Sequence, residues 1–233
     1  MTDKVAIITA ASKGMGAAIT RELAANGYRV ALLATSEAVY ELATEVGGVG
    51  LVGSVVNNDD LKRVVEAAMQ HYGRVDAVVN NTGHPPKGDL LAIPDDDWQL
   101  GGDMVLMNVI RMARLVTPIM VGQGGGAIVN ISAFGAYEPS RAFPVSATFR
   151  AALGSFTKIY ADEYAPHNIR MNNILPGFID SYPESDDILA RIPMKRYGTV
   201  DEIAKTVHFL LSDGAGYITG QNLRVDGGIT RSV

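Results

Sequence analysis

The sequence contains no cysteine. This absence excludes a disulfide framework, a thiolate zinc site and a cysteine nucleophile, and it fits a reducing compartment. A basic cluster is also absent, because 20 Lys and Arg residues stand against 25 Asp and Glu residues, for a formal net charge of −5. We therefore expect neither nucleic acid nor an anionic membrane as a partner, and the sequence predicts no metal site.

Long apolar runs are scarce too. The longest, residues 104–121, is interrupted by Arg111 and Arg114, and two charges make a membrane span costly. The N-terminal residues lead directly into an apolar strand, so we expect no signal peptide. We expect a cytoplasmic location.

Glycine, in contrast, is abundant, at 25 of 233 residues, and short apolar runs alternate with longer amphipathic stretches. The pattern predicts strands near residues 5–9, 29–33, 50–52, 75–80, 127–131, 169–174 and 222–225, with helices over residues 14–26, 36–46, 58–72, 95–121, 145–164 and 200–211. Strands buried on both faces and alternating with helices indicate βαβ units. We expect residues 1–233 to form a single α/β domain, with a Rossmann-like doubly wound parallel sheet flanked by helices on both faces.

The first predicted strand-to-helix turn has the composition of a phosphate site. Glycines in such a turn let the backbone approach a pyrophosphate, and the helix N-terminus supplies free N–H groups and a partial positive charge. The turn contains Thr9, Ser12, Lys13, Gly14, Met15 and Gly16. It predicts a dinucleotide site, and a glycine-containing turn without a ligand is the alternative.

Four segments of the chain carry a resemblance to a known family. Residues 9–16 read Thr-Ala-Ala-Ser-Lys-Gly-Met-Gly, residues 80–83 read Asn-Asn-Thr-Gly, residues 176–179 read Pro-Gly-Phe-Ile, and residues 216–228 end in Asp-Gly-Gly. In this order they resemble the TGxxxGxG, NNAG and PGxI motifs and the C-terminal segment of the short-chain dehydrogenase/reductase family. The similarity is to its small branch, which includes the ketoacyl-carrier-protein reductases. Ala10 replaces the first glycine of the turn, and Ser181 stands where the family usually has Thr.

The resemblance implies which residues contact the cofactor. Ser54 and Val55 would lie along the adenine, and residues 81–83 with Ile179 would line the nicotinamide. The implied cofactor-binding residues are Thr9, Ser12, Lys13, Gly14, Met15, Gly16, Thr35, Ser36, Ser54, Val55, Asn81, Thr82, Gly83, Arg150, Pro176, Gly177, Ile179 and Ser181. The resemblance also implies a homo-oligomer, a tetramer or a dimer, with residues 146–164 and the last strand at interfaces.

The end of the second predicted strand indicates which cofactor is preferred. Sites that prefer NAD place a carboxylate there to bind the ribose 2′-hydroxyl, and that carboxylate would repel a 2′-phosphate. Thr35 and Ser36 occupy this position, and the first acid is Glu37. Lys13 adds a cation at the same corner, unless it is only a solvated surface lysine. We expect NADP(H).

The catalytic positions depart from the family pattern, which uses Asn, Ser, Tyr and Lys. Asn108 matches the Asn. Ala133 stands at the Ser position, and the family spacing then places Ser146 at the Tyr position and Arg150 at the Lys position. Serine is a far weaker acid than a phenol, whose pKa is about 10. Arg150 keeps a positive charge that can bind ribose hydroxyls, but it does not exchange protons.

Other residues could replace the missing acid. Ser132 precedes Ala133 and is expected to point to the other side of the strand, and helix geometry places Tyr160 and Tyr164 off the face of Arg150 or far along it. His84 is the best-placed titratable alternative, because histidine changes protonation near neutral pH. Three further residues are expected in the loop that walls the pocket: Tyr137, Glu138 and Arg141.

Three functions remain open. The first is an NADP(H)-binding oxidoreductase that transfers hydride to an unidentified small molecule by a variant route, using Asn108, Ser146 and Arg150. The second is a catalytically silent NADP(H)-binding sensor or partner protein. The third and weakest is non-redox chemistry of the halohydrin dehalogenase type, which also carries Arg at the Lys position but keeps Ser and Tyr.

Overall fold

A computed structural model describes residues 4–232, and these residues form a parallel sheet of seven strands. The strands are β1 (Val5–Thr9), β2 (Arg29–Ala34), β3 (Val49–Val52), β4 (Ala77–Asn80), β5 (Gly126–Ile131), β6 (Ile169–Pro176) and β7 (Asn222–Val225). Their order in the sheet is β3-β2-β1-β4-β5-β6-β7. The direction of winding reverses between β1 and β4, and parallel sheets bind ligands at the carboxyl ends of the strands beside such a reversal.

Helices cover both faces of this sheet. They are α1 (Gly14–Ala25), α2 (Ala38–Val46), α3 (Asn58–Tyr72), α4 (Asp95–Gly102), α5 (Asn108–Gly122), α6 (Pro144–Tyr164), α7 (Asp186–Arg191) and α8 (Val200–Leu211). Helices α1, α2 and α8 bury apolar side chains on one face, and α3, α5 and α6 do so on the other. Along β1 the side chains alternate between these two cores, as a strand's period of two requires.

The fold predicted from the sequence is confirmed, with differences in two places. Helix α7 falls in a segment for which no helix was predicted. The helix predicted over residues 95–121 is interrupted after Gly102, and Gly101 lets α4 approach α6, because a Cβ on Gly101 would overlap the side chain of Val145. A π-helical turn, Asp103–Met107, then joins α4 directly to α5.

The helical run Asp95–Gly122 is long and apolar enough to cross a membrane by length and composition alone. Its apolar side chains at Val109, Met112 and Val116 are buried against the sheet. Arg111 forms an ion pair with Asp103 at 2.6 Å on the outer side. The run therefore packs as a core helix of this fold.

Candidate active site

The turns after β1 and β4 are joined by hydrogen bonds at the carboxyl edge of the sheet. The hydroxyl of Thr9, which is buried, donates to the carbonyl of Asn81 at 2.7 Å and accepts from the Asn81 N–H at 2.9 Å. The Asn81 amide also donates to the carbonyl of Ala10 at 3.3 Å. The two turns are therefore held side by side, and the space that they border at the carboxyl edge of the sheet is called the cleft below.

The turn after β1 brings the start of α1 against the backbone. A Cβ on Gly16 would overlap the carbonyl oxygen of Ala10, so only glycine fits there. Ala10 itself has φ of +47°, a left-handed conformation in which alanine is strained relative to glycine. Within the described residues, no side chain caps the start of α1 and its first turn carries no acid. This arrangement fits a phosphate group, because free N–H groups and the helix dipole both favour an anion.

The loop after β6 lies beside this turn. A Cβ on Gly14 would lie 3.7 Å from the Cβ of Ser181, so the two loops face each other closely. A Cβ on Gly177 would lie 2.8 Å from the Cα of Asp226, which leaves glycine as the residue that fits. Pro176 and Ile179 are buried and anchor the loop. The structure thus places Ser181 next to the turn after β1 and Gly177 against the C-terminal segment.

The strand ends on the other side of β1 carry the predicted adenine-side residues. Thr35 and Ser36 are exposed after β2, and the Ser36 hydroxyl accepts from the N–H of residue 38 at 3.2 Å. After β3, Val55 is buried and the Ser54 N–H donates to the Asp60 carboxylate at 2.9 Å. The acid beside Ser54, which the sequence pattern did not reveal, is paired with Arg63 at 2.8 Å.

Two buried polar atoms near the cleft have no hydrogen-bond partner among the described residues, namely Oγ1 of Thr82 and Oδ1 of Asn108. The Asn108 amide donates to the carbonyl of Met104, which lies within the π-helical turn. Gly83 lies close to the same residue, since its Cβ would be 3.8 Å from the Met104 Cε. The π-helical turn therefore holds a buried amide with a free acceptor, and its Met104 side chain lies beside the loop after β4; such turns are often found at functional sites.

Ser146 and Arg150 lie one turn apart on α6 and form a unit. The Arg150 Nε donates to the Ser146 hydroxyl at 3.0 Å, and its Nη1 donates to the Ile131 carbonyl at 2.7 Å. Arg150 is only 7% exposed, and this burial lowers the pKa of its guanidinium to about 10. It therefore remains cationic at neutral pH. Because Ser146 accepts this bond, its own hydroxyl proton remains available for a ligand.

The alternative acids lie in different surroundings. Ser132 is buried, with its hydroxyl unpartnered among the described residues, whereas Ala133 is half-buried. The Tyr160 hydroxyl is buried against Thr117 at 2.6 Å, and the Tyr164 ring stacks on the ring of Tyr160. Tyr160 is thus buried in the core, and Tyr164 packs against it half-buried.

The loop after β5 contacts the C-terminal segment. The Tyr137 hydroxyl accepts from the Asn222 amide at 3.3 Å, and the Glu138 carboxylate accepts from the N–H groups of Arg231 and Ser232. Arg141 is exposed. Tyr137 and Glu138 are thus engaged by the tail of the chain, which the sequence did not indicate.

His84 has a partner that the sequence analysis missed. The hydroxyl of Tyr182 shares a hydrogen bond with the His84 Nε2, and the two rings meet edge to face with centroids 5.0 Å apart. The residues are 98 positions apart, so no local pattern links them. The sequence held only an indirect signal for this contact, because His84 and Tyr182 both follow motifs that the family resemblance assigns to the nicotinamide side.

The charge of Arg150 acts on both members of this pair. Burial lowers the pKa of His84, and the positive charges of Lys87, Arg150 and Lys13 lower it further. Burial raises the pKa of Tyr182, and the charge of Arg150 opposes that rise. Near neutral pH the pair therefore consists of a neutral imidazole and a protonated phenol.

Within residues 4–232, no group of three His, Asp or Glu side chains is placed to hold a metal ion.

This fold, with a turn suited to phosphate at the carboxyl end of β1, defines the class of Rossmann-like dinucleotide-binding proteins. The family model described as enoyl-(acyl carrier protein) reductase matches residues 9–230. The chain therefore belongs to this family of short-chain dehydrogenases/reductases, and the resemblance stated from its motifs is confirmed.

Relatives of known name agree with this assignment. The chain is 35% identical to the 3-oxoacyl-(acyl-carrier-protein) reductases of Thermotoga maritima and Escherichia coli, with 97% of each chain covered in both comparisons. It is 34% identical to nodulation protein G of Rhizobium meliloti, over 98% of both chains. Among solved structures, L-sorbose reductase from Gluconobacter frateurii, complexed with NADPH and L-sorbose, matches with a TM-score of 0.90 and 29% identity, over 100% of this chain and 98% of that one.

Proposed function

We propose that this protein is an NADP(H)-dependent oxidoreductase that reduces a small molecule with a non-standard set of catalytic residues. The observation that carries the proposal is the turn after β1, where Gly16 lies against the Ala10 carbonyl and the uncapped start of α1 faces the cleft. The names of the relatives and the NADPH in the L-sorbose reductase structure support it. When bound, NADPH supplies the hydride.

Each part of the cofactor has a group of residues suited to it. The backbone of the turn holds the pyrophosphate, and Lys13 with the hydroxyls of Thr35 and Ser36 holds the 2′-phosphate. The absence of an acid before Glu37 removes the repulsion that an NAD-type site would impose. The full set proposed is Thr9, Ser12, Lys13, Gly14, Met15, Gly16, Thr35, Ser36, Ser54, Val55, Asn81, Thr82, Gly83, Arg150, Pro176, Gly177, Ile179 and Ser181.

At the catalytic end, Ala133, Ser146 and Arg150 stand where the family has Ser, Tyr and Lys. The Ser146 hydroxyl orients the substrate oxygen with a hydrogen bond but does not transfer its proton readily. Arg150, cationic and buried, stabilises negative charge that develops on this oxygen. Asn108 offers its free carbonyl oxygen to a hydrogen-bond donor in the cleft.

Cofactor binding tests the first part of the proposal. We expect the wild-type protein to bind NADPH more tightly than NADH in calorimetric titrations. The Gly16→Ala variant should bind NADPH at least about tenfold more weakly, or about 1.4 kcal/mol, because the added methyl group pushes the start of α1 away from the turn. Gly122→Ala is the matched control, since a Cβ there has nothing within 4 Å. If Gly16→Ala binds NADPH as tightly as the wild-type protein, the turn after β1 is not part of the cofactor site.

Turnover tests the second part. Purified protein is offered NADPH with panels of ketones, enones, quinones and imines, and we expect stereospecific NADPH oxidation with at least one of them. If NADPH binds and no acceptor is reduced, the oxidoreductase proposal fails.

A nicotinamide sensor is the second candidate. Two observations favour a sensor. Ala133 has no hydroxyl, and the Nε and Nη1 of Arg150 already donate to protein acceptors. A sensor should distinguish NADPH from NADP⁺ in affinity by tenfold or more (about 1.4 kcal/mol) and change its association state on binding one of them, without turnover.

A further inference from the structure

The loops after β4 and β6 meet at the tyrosine–histidine pair formed by Tyr182 and His84. The pair is joined by a hydrogen bond and an edge-to-face ring contact. Each member directly precedes a proline, Pro85 or Pro183, and a proline restricts the backbone of the residue before it. The backbone of both residues is therefore restricted, and their side chains join the two loops.

The position of the pair relates it to the proposed reaction. His84 follows the loop of Asn81, which is joined to Thr9, and Tyr182 follows Ser181, which faces Gly14. The pair consequently borders the cleft where the turns after β1, β4 and β6 converge. Tyr182 is 40% exposed, so its phenol is accessible to a ligand in that cleft.

Tyr182 is better placed than the other tyrosines considered above to act as an acid. The Tyr160 hydroxyl is buried in the core against Thr117, and the Tyr137 hydroxyl contacts Asn222. The phenol of Tyr182 instead lies within the influence of Arg150, the buried cation at the family's Lys position. The positive charge of Arg150 favours the ionised form of the phenol, which is what a proton donor becomes after transfer, and it opposes the larger effect of burial, which raises the pKa of Tyr182.

We propose that Tyr182 is the proton donor to the substrate oxygen and that His84 positions it and returns the proton. This inference rests on the proposed oxidoreductase function. As hydride reaches the carbonyl carbon, the C=O double bond becomes a single bond and its oxygen takes the phenolic proton of Tyr182. Reduced nicotinamide is the reductant and is oxidised in the same step.

His84 completes the proton balance. With Nε2 protonated, the imidazole donates to Tyr182 and leaves the phenolic proton free for the substrate. After the transfer, the phenolate of Tyr182 takes the Nε2 proton while Nδ1 takes one from solvent, to which His84 is exposed. Exchange with solvent, in which Nε2 gains a proton and Nδ1 loses one, then restores the starting tautomer. The net requirement is one proton from water for each carbonyl group reduced.

The test compares two kinds of acceptor. A ketone needs a proton on its oxygen, whereas a permanently charged N-methyl iminium ion accepts hydride without any proton. We expect Tyr182→Phe to lower kcat for the ketone at least about 100-fold and to leave iminium reduction at the wild-type rate. His84→Gln should lower ketone turnover by a smaller factor, because the glutamine amide can still donate to the phenol.

Matched controls and a readout apart from activity complete the design. Tyr217→Phe and His167→Gln alter an exposed tyrosine and an exposed histidine, and both should keep wild-type kinetics. By NMR, the His84 imidazole resonance, identified by its loss in His84→Gln, should titrate at a different pH in Tyr182→Phe but not in Tyr217→Phe.

The outcomes separate this inference from the proposed function. Wild-type ketone turnover in Tyr182→Phe, with NADPH still bound, overturns the proton-donor role and leaves the oxidoreductase in place. Equal losses with ketone and iminium acceptors also overturn it, since they show that the pair only holds the two loops together. A wild-type protein that fails to bind NADPH overturns the proposed function itself.

Discussion

Arg150 keeps the positive charge of the family's Lys, but its guanidinium is held in one orientation. Its Nε and Nη1 donate to Ser146 and to the Ile131 carbonyl, so the guanidinium is tied to the end of β5. Ser146 in turn stands at the position where the family has its Tyr. The two residues therefore form a matched pair, and replacing only one of them would leave a donor or an acceptor without its partner.

Restoring the family residues tests their assignment. We expect the triple variant Ala133→Ser, Ser146→Tyr and Arg150→Lys to reduce simple ketones at least about 100-fold faster than the wild-type protein, because a phenol then lies beside the substrate oxygen. Adding Tyr182→Phe to this background should cost little. Steady-state kinetics measure both effects. A triple variant that folds, binds NADPH and reduces no ketone would show that these three positions are not the catalytic ones.

Helix α8 illustrates what an element contributes beyond its own residues, because it packs against α1, whose start belongs to the turn after β1 that we propose binds phosphate. A capping box opens α8: the Thr199 hydroxyl accepts from the Glu202 N–H at 3.1 Å, and the Glu202 carboxylate accepts from the Thr199 N–H at 2.8 Å. Arg196 adds two hydrogen bonds to the same carboxylate. These bonds, the Arg196 bonds foremost, lower the pKa of Glu202 to about 2.

The cap predicts a pH-dependent contribution to stability. Thr199→Ala should lower the free energy of unfolding by about 1 kcal/mol in urea titrations at pH 7, whereas Thr199→Ser keeps the acceptor and should change it little. The pKa of Glu202 is depressed in the folded protein, so its contribution is present above its ordinary pKa and lost as pH falls toward 2. The stability difference between wild type and Glu202→Gln should therefore shrink over this range. A constant difference would contradict the pairing with Arg196.

At the scale of the whole molecule, an amide ladder joins four strands of the sheet. Asn80, Asn130, Asn173 and Asn222 lie in register on β4, β5, β6 and β7. Each donates to the next, at 2.8, 2.9 and 2.6 Å. Buried amides that satisfy one another stabilise one register, because a shift by one residue would leave them unpaired.

We also propose that the protein assembles as a homo-oligomer, a tetramer or a dimer, through α6 and β7. Apolar side chains are exposed on these elements at Ile159 (67%) and Leu223 (39%), with Phe209 (44%) on α8. Sedimentation of wild type should show a dimer or tetramer, and Leu223→Lys combined with Ile159→Lys should shift it toward monomer, because a charge in an apolar interface is costly. Val121→Lys, on an exposed site outside this surface, is the control. A monomeric wild-type protein would contradict the proposed assembly. The cytoplasmic location remains a prediction.

The sequence alone determined the class of fold and the glycine-containing turn after β1, because both depend on local order. Alternation of apolar residues sets which faces of β1 are buried, and the overlap that excludes a side chain at Gly16 involves a carbonyl only six residues away. Only the tertiary structure decided that His84 meets Tyr182, that four asparagines form one ladder and that Arg150 is buried. The hydrogen-bonded residues are 98 positions apart for the His84 pair, 43 to 50 apart along the ladder and 19 apart for Arg150 and Ile131. Their geometry depends on the order and register of parallel strands, about which the spacing of residues along the chain carries no information.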